Sequence, residues 1–301
     1  MIAISDPKRP LWLRILQFPL VRLILLGGLV FVMMGLNNGF MKKFSDAPLL
    51  SIATTVAMAA LALAVYVGFA RYIERRPVSE LSLPGMGREL GTGLLIGACL
   101  YALCVFILIA LGMYRIDGLN PWYFVLPAVG MALSSGIFEE LLFRGVLFRS
   151  VEELFGSWIS LAASSAVFGF MHLFNPAGTL IGAIYISIEA GLLLAAAYML
   201  TRRLWLSIGF HMAWNYTQSA IFSGIVSGDV TAPGLIKSNI KGPAALTGGS
   251  FGLESSIIAF LLCTATGAVL LIMAVRRGRI VPPPWKRLGK SLSSEKSWLS
   301  A

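Results

Sequence analysis

The sequence predicts an all-α, polytopic membrane helical bundle with about eight transmembrane helices. Charged residues make up only 13% of the 301-residue chain, whereas a soluble domain carries about 25%. The mean hydropathy is +0.81, and the apolar runs reach the roughly 20 residues that a helix needs to cross a bilayer. A surface with so little charge requires lipid, not water, as its main solvent.

Polar or helix-breaking segments such as Arg75-Arg76-Pro77 separate the apolar runs. The first run is longer than the apolar core of a signal peptide, so we expect it to remain as the first helix. Gly93 and Gly97 form a GxxxG pair in the third run, which is a signal for helix packing. Length and apolarity predict spans at 18–37, 48–70, 91–113, 122–148, 157–174, 178–200, 204–226 and 255–275.

The basic residues predict how these helices are oriented. With alternating spans, 19 of the 24 Lys and Arg residues fall on the side of the N-terminus and 5 on the other side. Because basic residues concentrate in cytoplasmic loops, we predict that both termini are cytoplasmic, and we expect a bacterial plasma membrane. Basic residues at membrane edges meet anionic lipid, so the net charge of +10 indicates membrane lipid as a partner and not nucleic acid.

The spans group into three predicted regions. Residues 1–120 form an N-terminal three-helix membrane region, and 121–226 form a core that holds most of the buried polar residues. Residues 227–301 contain an outer loop, the last transmembrane helix and a basic cytoplasmic tail. The loop at 227–254 is rich in Gly, Ser and Pro, which favours a flexible connector.

The residues that carry chemistry are the few polar side chains inside the apolar spans. The chain has two histidines, His172 and His211, and both lie within spans. Glu139 and Glu140 lie in the fourth span, and Asn215 follows His211 by four residues, on the same helix face. Charged side chains in a bilayer cost at least about 2.5–3.5 kcal/mol each, so they usually face a protein interior and mark function.

These polar groups are predicted to meet. At a rise of about 1.5 Å per residue, they lie roughly 10–24 Å from the cytoplasmic ends of their helices. The depths overlap, so one carboxylate, two imidazoles and one amide can cluster in the bilayer. We expect this cluster to open toward the cytoplasm.

The two glutamates are predicted to play different parts. Glu140 and Arg144 are spaced i,i+4 in the order that favours an ion pair, which makes Glu140 a structural residue. Glu139 points about 100° away around the helix and lacks that partner. It is therefore the candidate general base.

Two chemistries remain open for the cluster. Glu139 and His172 could activate a water while His211 and Asn215 donate hydrogen bonds to a developing oxyanion. Alternatively, Glu139, His172 and His211 could bind a zinc ion in a His₂Glu site that keeps one open position. The sequence does not choose between them.

Three ordered motifs give a family resemblance. They are EExxxR at Glu139, Glu140 and Arg144, FxxxH at Phe168 and His172, and HxxxN at His211 and Asn215. Their order and spacing over about 121–226 resemble the CPBP (CAAX protease and bacteriocin-processing, Abi) family of intramembrane proteases, which includes the type II CAAX prenyl endopeptidases.

The resemblance implies a protease core at 121–226, with an active-site cavity between the fourth, fifth and seventh helices. It also implies that Glu139 and His172 activate water and that His211 and Asn215 form the oxyanion hole. A zinc dependence is attached to the family name. The implied substrate is a peptide or a lipidated protein, and the expected activity is an intramembrane endopeptidase acting on a membrane-associated, lipidated or leader peptide.

Glu189 departs from the family pattern. It lies in the middle of the sixth span, where a small or amide residue is expected, and it could line the cavity or pair with a basic or hydroxyl side chain. Two other functions stay open. One is a non-catalytic membrane scaffold or immunity-type binding protein of the same fold. The other is a proton-relaying transporter, although the chain lacks the two matching halves that many transporters show.

Overall fold

A computed structural model describes residues 10–229 and 232–286. Its helices, numbered in chain order, are α1 (Leu11–Gln17), α2 (Pro19–Lys43), α3 (Pro48–Ile73), α4 (Met86–Ala110), α5 (Trp122–Phe155), α6 (Ser157–Phe174), α7 (Leu180–Thr201), α8 (Trp205–Tyr216), α9 (Ala244–Thr247) and α10 (Ile257–Arg276). Five basic residues of the orientation count lie outside the described residues: Lys8, Arg9, Arg287, Lys290 and Lys296.

The helices confirm the predicted all-α membrane bundle. Among the described residues, seven helices are long and apolar enough to cross a membrane. They correspond to every predicted span except 204–226. That segment is also helical, but α8 has 12 residues and continues for five more as a π-helix at Thr217–Ile221. It is shorter than the seven other helices, and it carries the polar residues of the HxxxN motif.

The GxxxG pair fixes the position of α8. A Cβ atom on Gly93 would lie 2.3 Å from the carbonyl oxygen of Leu206, and one on Gly97 would lie 2.4 Å from that of Phe210. On α8, a Cβ on Gly209 would lie 2.3 Å from the carbonyl oxygen of Leu90. Small residues on both helices therefore let the two backbones touch, as is common between membrane helices. This contact places α4 directly behind the helix that carries His211 and Asn215.

Buried ion pairs join the helices at one end of the bundle. Glu80 pairs with Arg76 at 2.7 Å and with Arg149 at 3.3 Å, and Glu74 pairs with Arg149 at 3.1 Å. Burial alone would raise the pKa of Glu80, but the guanidinium groups of Arg149 and Arg76 hold it below its usual range. We call this end the basic end, and it comprises residues 74–85, 149–157, 201–204 and 277–283.

The opposite end, which we call the loop end, comprises residues 111–121, 175–179, 222–229 and 232–256. Here β1 (Tyr114–Leu119) pairs antiparallel with β2 (Ile236–Ile240). The backbone N–H of Gly228 donates to Phe251 at 2.6 Å, and the carbonyl of Gly228 accepts from Ala177 at 2.9 Å. The expectation of a flexible connector at 227–254 was therefore wrong for its described part, because its backbone groups are hydrogen-bonded to neighbouring segments.

We predict that the basic end is cytoplasmic, from the bias of 19 basic residues against 5. Topology reporters fused at Lys42 and Ser227 should then be active outside the membrane, and a reporter fused after Arg277 should be active inside. A fusion at Glu80 serves as the internal control for the basic end. An external signal from the fusion after Arg277 would contradict the predicted orientation.

Candidate active site

The EExxxR segment lies where α5 departs from regular α-helical geometry. π-Helical turns occupy Ser135–Glu139 and Leu141–Phe148, and such turns are frequent at functional sites. Nη1 of Arg144 donates to Oε1 of Glu140 at 2.8 Å, and both side chains are almost fully buried. The i,i+4 ion pair expected from the sequence is therefore present.

Arg144 also holds the neighbouring helices. Its Nη2 donates to the carbonyl oxygens of Ala190 at 3.3 Å and Gly191 at 3.1 Å, both on α7. Its guanidinium carbon lies 4.6 Å from the ring centroid of Phe168 on α6. Carbonyl oxygens and the face of an aromatic ring both attract a cation. One side chain of α5 thus binds α6 and α7 together.

His211 lies between the two glutamates. Its Nδ1 is 2.9 Å from Oε1 of Glu140, and its Nε2 is 3.9 Å from Oε2 of Glu139. An ionised carboxylate only accepts hydrogen bonds, so Nδ1 carries a proton and donates to Glu140. The distance to Glu139 is too long for a hydrogen bond. In the imidazolium form Nε2 also carries a proton.

His172 occupies the last turn of α6 and is partly exposed. Its Nδ1 lies 2.8 Å from the carbonyl oxygen of Phe168, which can only accept. Nδ1 therefore donates, and in the neutral ring Nε2 is left as an acceptor. On α8, Nδ2 of Asn215 donates to Oγ of Ser135 at 2.9 Å, which leaves its second N–H for another acceptor. His172 and Glu139 make no direct hydrogen bond.

His172, His211 and Asn215 line one cavity of about 30 Å³, which has room for one or two water molecules. Its walls come from α6, α7, α8, α10 and the 222–256 segment. Glu189 is in this lining, but Glu139 and Glu140 are not and connect to it through His211. The cavity was expected between the fourth, fifth and seventh predicted spans, which are α5, α6 and α8. Its observed lining comes from α6, α7, α8 and α10, which are the fifth to the eighth spans, because His211 separates the α5 glutamates from it.

The cavity extends from the middle of the bundle toward the loop end. His172 lies two residues before the end of α6 at that side, and Ser227 and Glu254 of the loop end belong to the lining. The loop-end residues complete the cavity wall because Glu254 is hydrogen-bonded to Trp214 of α8. The expected opening toward the cytoplasm stays a prediction.

Glu254 is the site residue that the sequence did not predict. Oε1 accepts from Nε1 of Trp214 at 3.2 Å, and Oε2 accepts from Oγ of Ser227 at 2.9 Å. Burial raises the pKa of Glu254, although the Ser227 hydrogen bonds and the charge of His172 act in the opposite direction. The one available signal was an acidic residue three positions before a transmembrane helix.

The three candidate zinc ligands are not arranged to bind one metal ion. Within residues 10–229 and 232–286, no three His, Cys, Asp or Glu side chains converge as metal ligands. Nδ1 of His211 is engaged by Glu140 and Nδ1 of His172 by the Phe168 carbonyl, so only the Nε2 atoms remain for a ligand. As placed, Glu139, His172 and His211 do not fit a His₂Glu zinc site, which needs donor atoms about 2 Å from a common centre.

Fold and site together define an integral membrane protein with a buried cluster of ionisable and amide side chains. Residues 121–217 match the family model described as "Type II CAAX prenyl endopeptidase Rce1-like". Over these residues the match supports the predicted relationship to the CPBP, or CAAX-protease, family. It supports a peptidase function of the CAAX-type intramembrane kind. Comparison with curated proteins and with solved structures gave no match.

We predict that Arg144→Ala lowers the free energy of unfolding by about 3–5 kcal/mol, the usual cost of leaving one member of a buried ion pair without its partner. Denaturant unfolding of the purified protein in detergent would measure the loss. The matched control is Arg115→Ala, which breaks an exposed pair with Asp117 and should leave unfolding unchanged. Equal losses in both variants would show that Glu140 does not depend on Arg144.

Proposed function

We propose that this protein is an intramembrane endopeptidase that hydrolyses a peptide bond of a membrane-associated or lipidated peptide without a resident metal. One observation carries the proposal. His211 lies between Glu139 and Glu140, at the wall of a cavity that also holds His172 and Asn215. Hydrolysis of an amide requires a proton acceptor, a group that orients the water and donors for the oxyanion. In this proposal Glu139 is the acceptor, Nε2 of His172 orients the water, and His211 and Asn215 are the donors.

In the proposed reaction, Glu139 takes a proton from a water molecule. Its Oε2 is buried and has no hydrogen-bond partner among the described residues, so it can accept that proton. Nε2 of His172 accepts the second hydrogen of the same water and orients it. The water oxygen then bonds to the carbonyl carbon of the peptide, the C–N bond breaks, and the proton held by Glu139 passes to the leaving amine nitrogen.

The negative charge that develops on the carbonyl oxygen needs donors. In the imidazolium form His211 presents Nε2–H, and Asn215 presents the amide N–H that Ser135 does not use. The Glu140 contact fixes the plane of the His211 ring, so its donor is oriented before the substrate arrives. Donors that need no rearrangement stabilise a transition state most effectively.

We predict that Glu139→Gln abolishes turnover and leaves the protein folded, because glutamine keeps the volume but cannot take the proton. Proteomic comparison of membranes that express the wild type or this variant would identify the cleavage products that are present with the wild type and absent with the variant. Glu140→Gln is the control. It should mainly lower stability, since it weakens the Arg144 and His211 contacts. Full proteolysis by Glu139→Gln together with loss in Glu140→Gln would reverse the two roles, and unchanged peptides in every variant would favour a non-catalytic binding protein.

A second prediction separates the metal-free reaction from a zinc reaction. Asn215→Ala should lower kcat by about 10²–10³, the usual effect of removing one oxyanion donor. Elemental analysis of active wild-type protein should find less than one metal ion per chain. One tightly bound zinc per chain, lost together with activity in His211→Ala, would overturn the metal-free reaction.

A further inference from the structure

Two carboxylates that the proposed reaction does not use line the same cavity. Glu189 comes from α7, and Glu254 comes from the segment just before α10. Both side chains are buried, with 2% and 5% of their surface exposed. Most of the remaining cavity wall is apolar and includes Phe168, Leu193 and Phe210.

Glu254 is held rigidly by neutral donors. Trp214 and Ser227 bind its two oxygens, and the Ser227 carbonyl accepts from Nδ2 of Asn175 at 2.7 Å. These contacts tie Glu254 to α8 and to the turn after α6. These neutral donors fix the orientation of the Glu254 carboxylate. They carry no positive charge, so they do not balance the charge of the carboxylate when it is ionised.

Glu189 has one buried oxygen without a partner. No described group lies within hydrogen-bonding distance of its Oε2. Arg144 donates through Nη1 and Nη2 to Glu140 and to the carbonyls of Ala190 and Gly191, and its Nε has no hydrogen-bond partner among the described residues. Buried carboxylate oxygens in native proteins nearly always have a donor. The missing donor at Glu189 therefore points to a ligand that supplies one.

The charges around the cavity are unequal. The carboxylates are Glu139, Glu140, Glu189 and Glu254. The cationic groups are Arg144 and, when they are protonated, His172 and His211. When all four carboxylates are ionised, they outnumber the cationic groups even with both imidazoles charged. A cationic ligand would remove this excess in a region where unbalanced charge is costly.

We infer that Glu189 and Glu254 form a subsite that binds a primary ammonium group of the peptide substrate, next to the bond that is cut. This inference rests on the proposed function and names the substrate chemistry that the same cavity selects. A cavity of about 30 Å³ suits a compact ammonium better than a planar guanidinium. The three N–H donors of an ammonium can reach the free oxygen of Glu189 while its charge faces Glu254. The ammonium could belong to a lysine side chain or to a free peptide N-terminus.

A binding experiment tests the subsite without relying on activity. The full-length protein in lipid nanodiscs would be heated with n-hexylamine or with 1-hexanol, which has the same chain length but no charge. Hexylamine should raise the Tm of the wild type in a saturable way and should not raise that of Glu189→Gln. The exposed variant Asp117→Asn should behave as the wild type does. Equal shifts in wild type and Glu189→Gln would overturn the subsite. Glu189→Leu replaces the glutamine variant if that variant does not fold.

A cleavage experiment tests the link to the substrate. Purified protein would be given a randomised peptide library, and the products would be sequenced by mass spectrometry. Cleavage should favour sites flanked by lysine over norleucine by at least about tenfold, as expected for loss of a buried charge pair. The ratio should fall to about one in Glu189→Gln. N-acetylation of the peptides distinguishes the two sources, because it removes only the terminal amine.

The outcomes separate this inference from the proposed function. The subsite alone is overturned if cleavage needs Glu139 but shows no preference for an ammonium. It is also overturned if the preference persists in Glu189→Gln. If the wild type cuts no peptide, the proposed function fails, and the hexylamine shift then decides the subsite. A shift lost in Glu189→Gln still supports an ammonium site in a binding protein, and the absence of any shift rejects it.

Discussion

The buried guanidinium of Arg144 is the contact on which the arrangement of the site depends. It binds Glu140 on its own helix, two carbonyl oxygens on α7 and the ring of Phe168 on α6. Glu140 passes the connection to α8 through His211. One cation therefore joins α5, α6 and α7 directly, and α8 through Glu140 and His211. A lysine would not reproduce these contacts, because its donors all lie on one nitrogen, whereas the planar guanidinium spreads its donors over separate nitrogens and stacks on an aromatic ring.

The cavity also depends on parts of the chain outside the segment that matches the family model. Residues 121–217 supply both glutamates, both histidines and Asn215. The backbone of α8, however, is positioned by Gly93 and Gly97 of α4, and the cavity wall is completed by Glu254 and α10. The matched segment thus supplies the shared chemistry, while the surrounding segments shape the space in which a substrate would lie.

The sequence predicted the features that depend on local spacing. Span lengths and the Glu140–Arg144 pair follow from helix geometry, and the helices and the ion pair are present. The family resemblance followed from three ordered motifs, and the family match bears it out. The ordered loop end could not be predicted, because residues 227–254 have no periodic pattern. Their structure comes from tertiary hydrogen bonds, such as those of Glu254 with Trp214 and Ser227, that link positions far apart in sequence.

The placement of the cavity limits how a substrate can approach. Ion pairs of Glu74, Glu80 and Arg149 link the segments at the basic end of the bundle, and the cavity lies between mid-bundle and the loop end. Glu139 and His172 are the partly exposed members of the cluster, and His172 is on the loop-end side. With the basic end in the cytoplasm, as the distribution of basic residues predicts, the cavity would lie between the middle and the outer half of the membrane. A substrate anchored in lipid would then meet the cavity within the bilayer, whereas a cytoplasmic segment would have to reach past the ion pairs of the basic end.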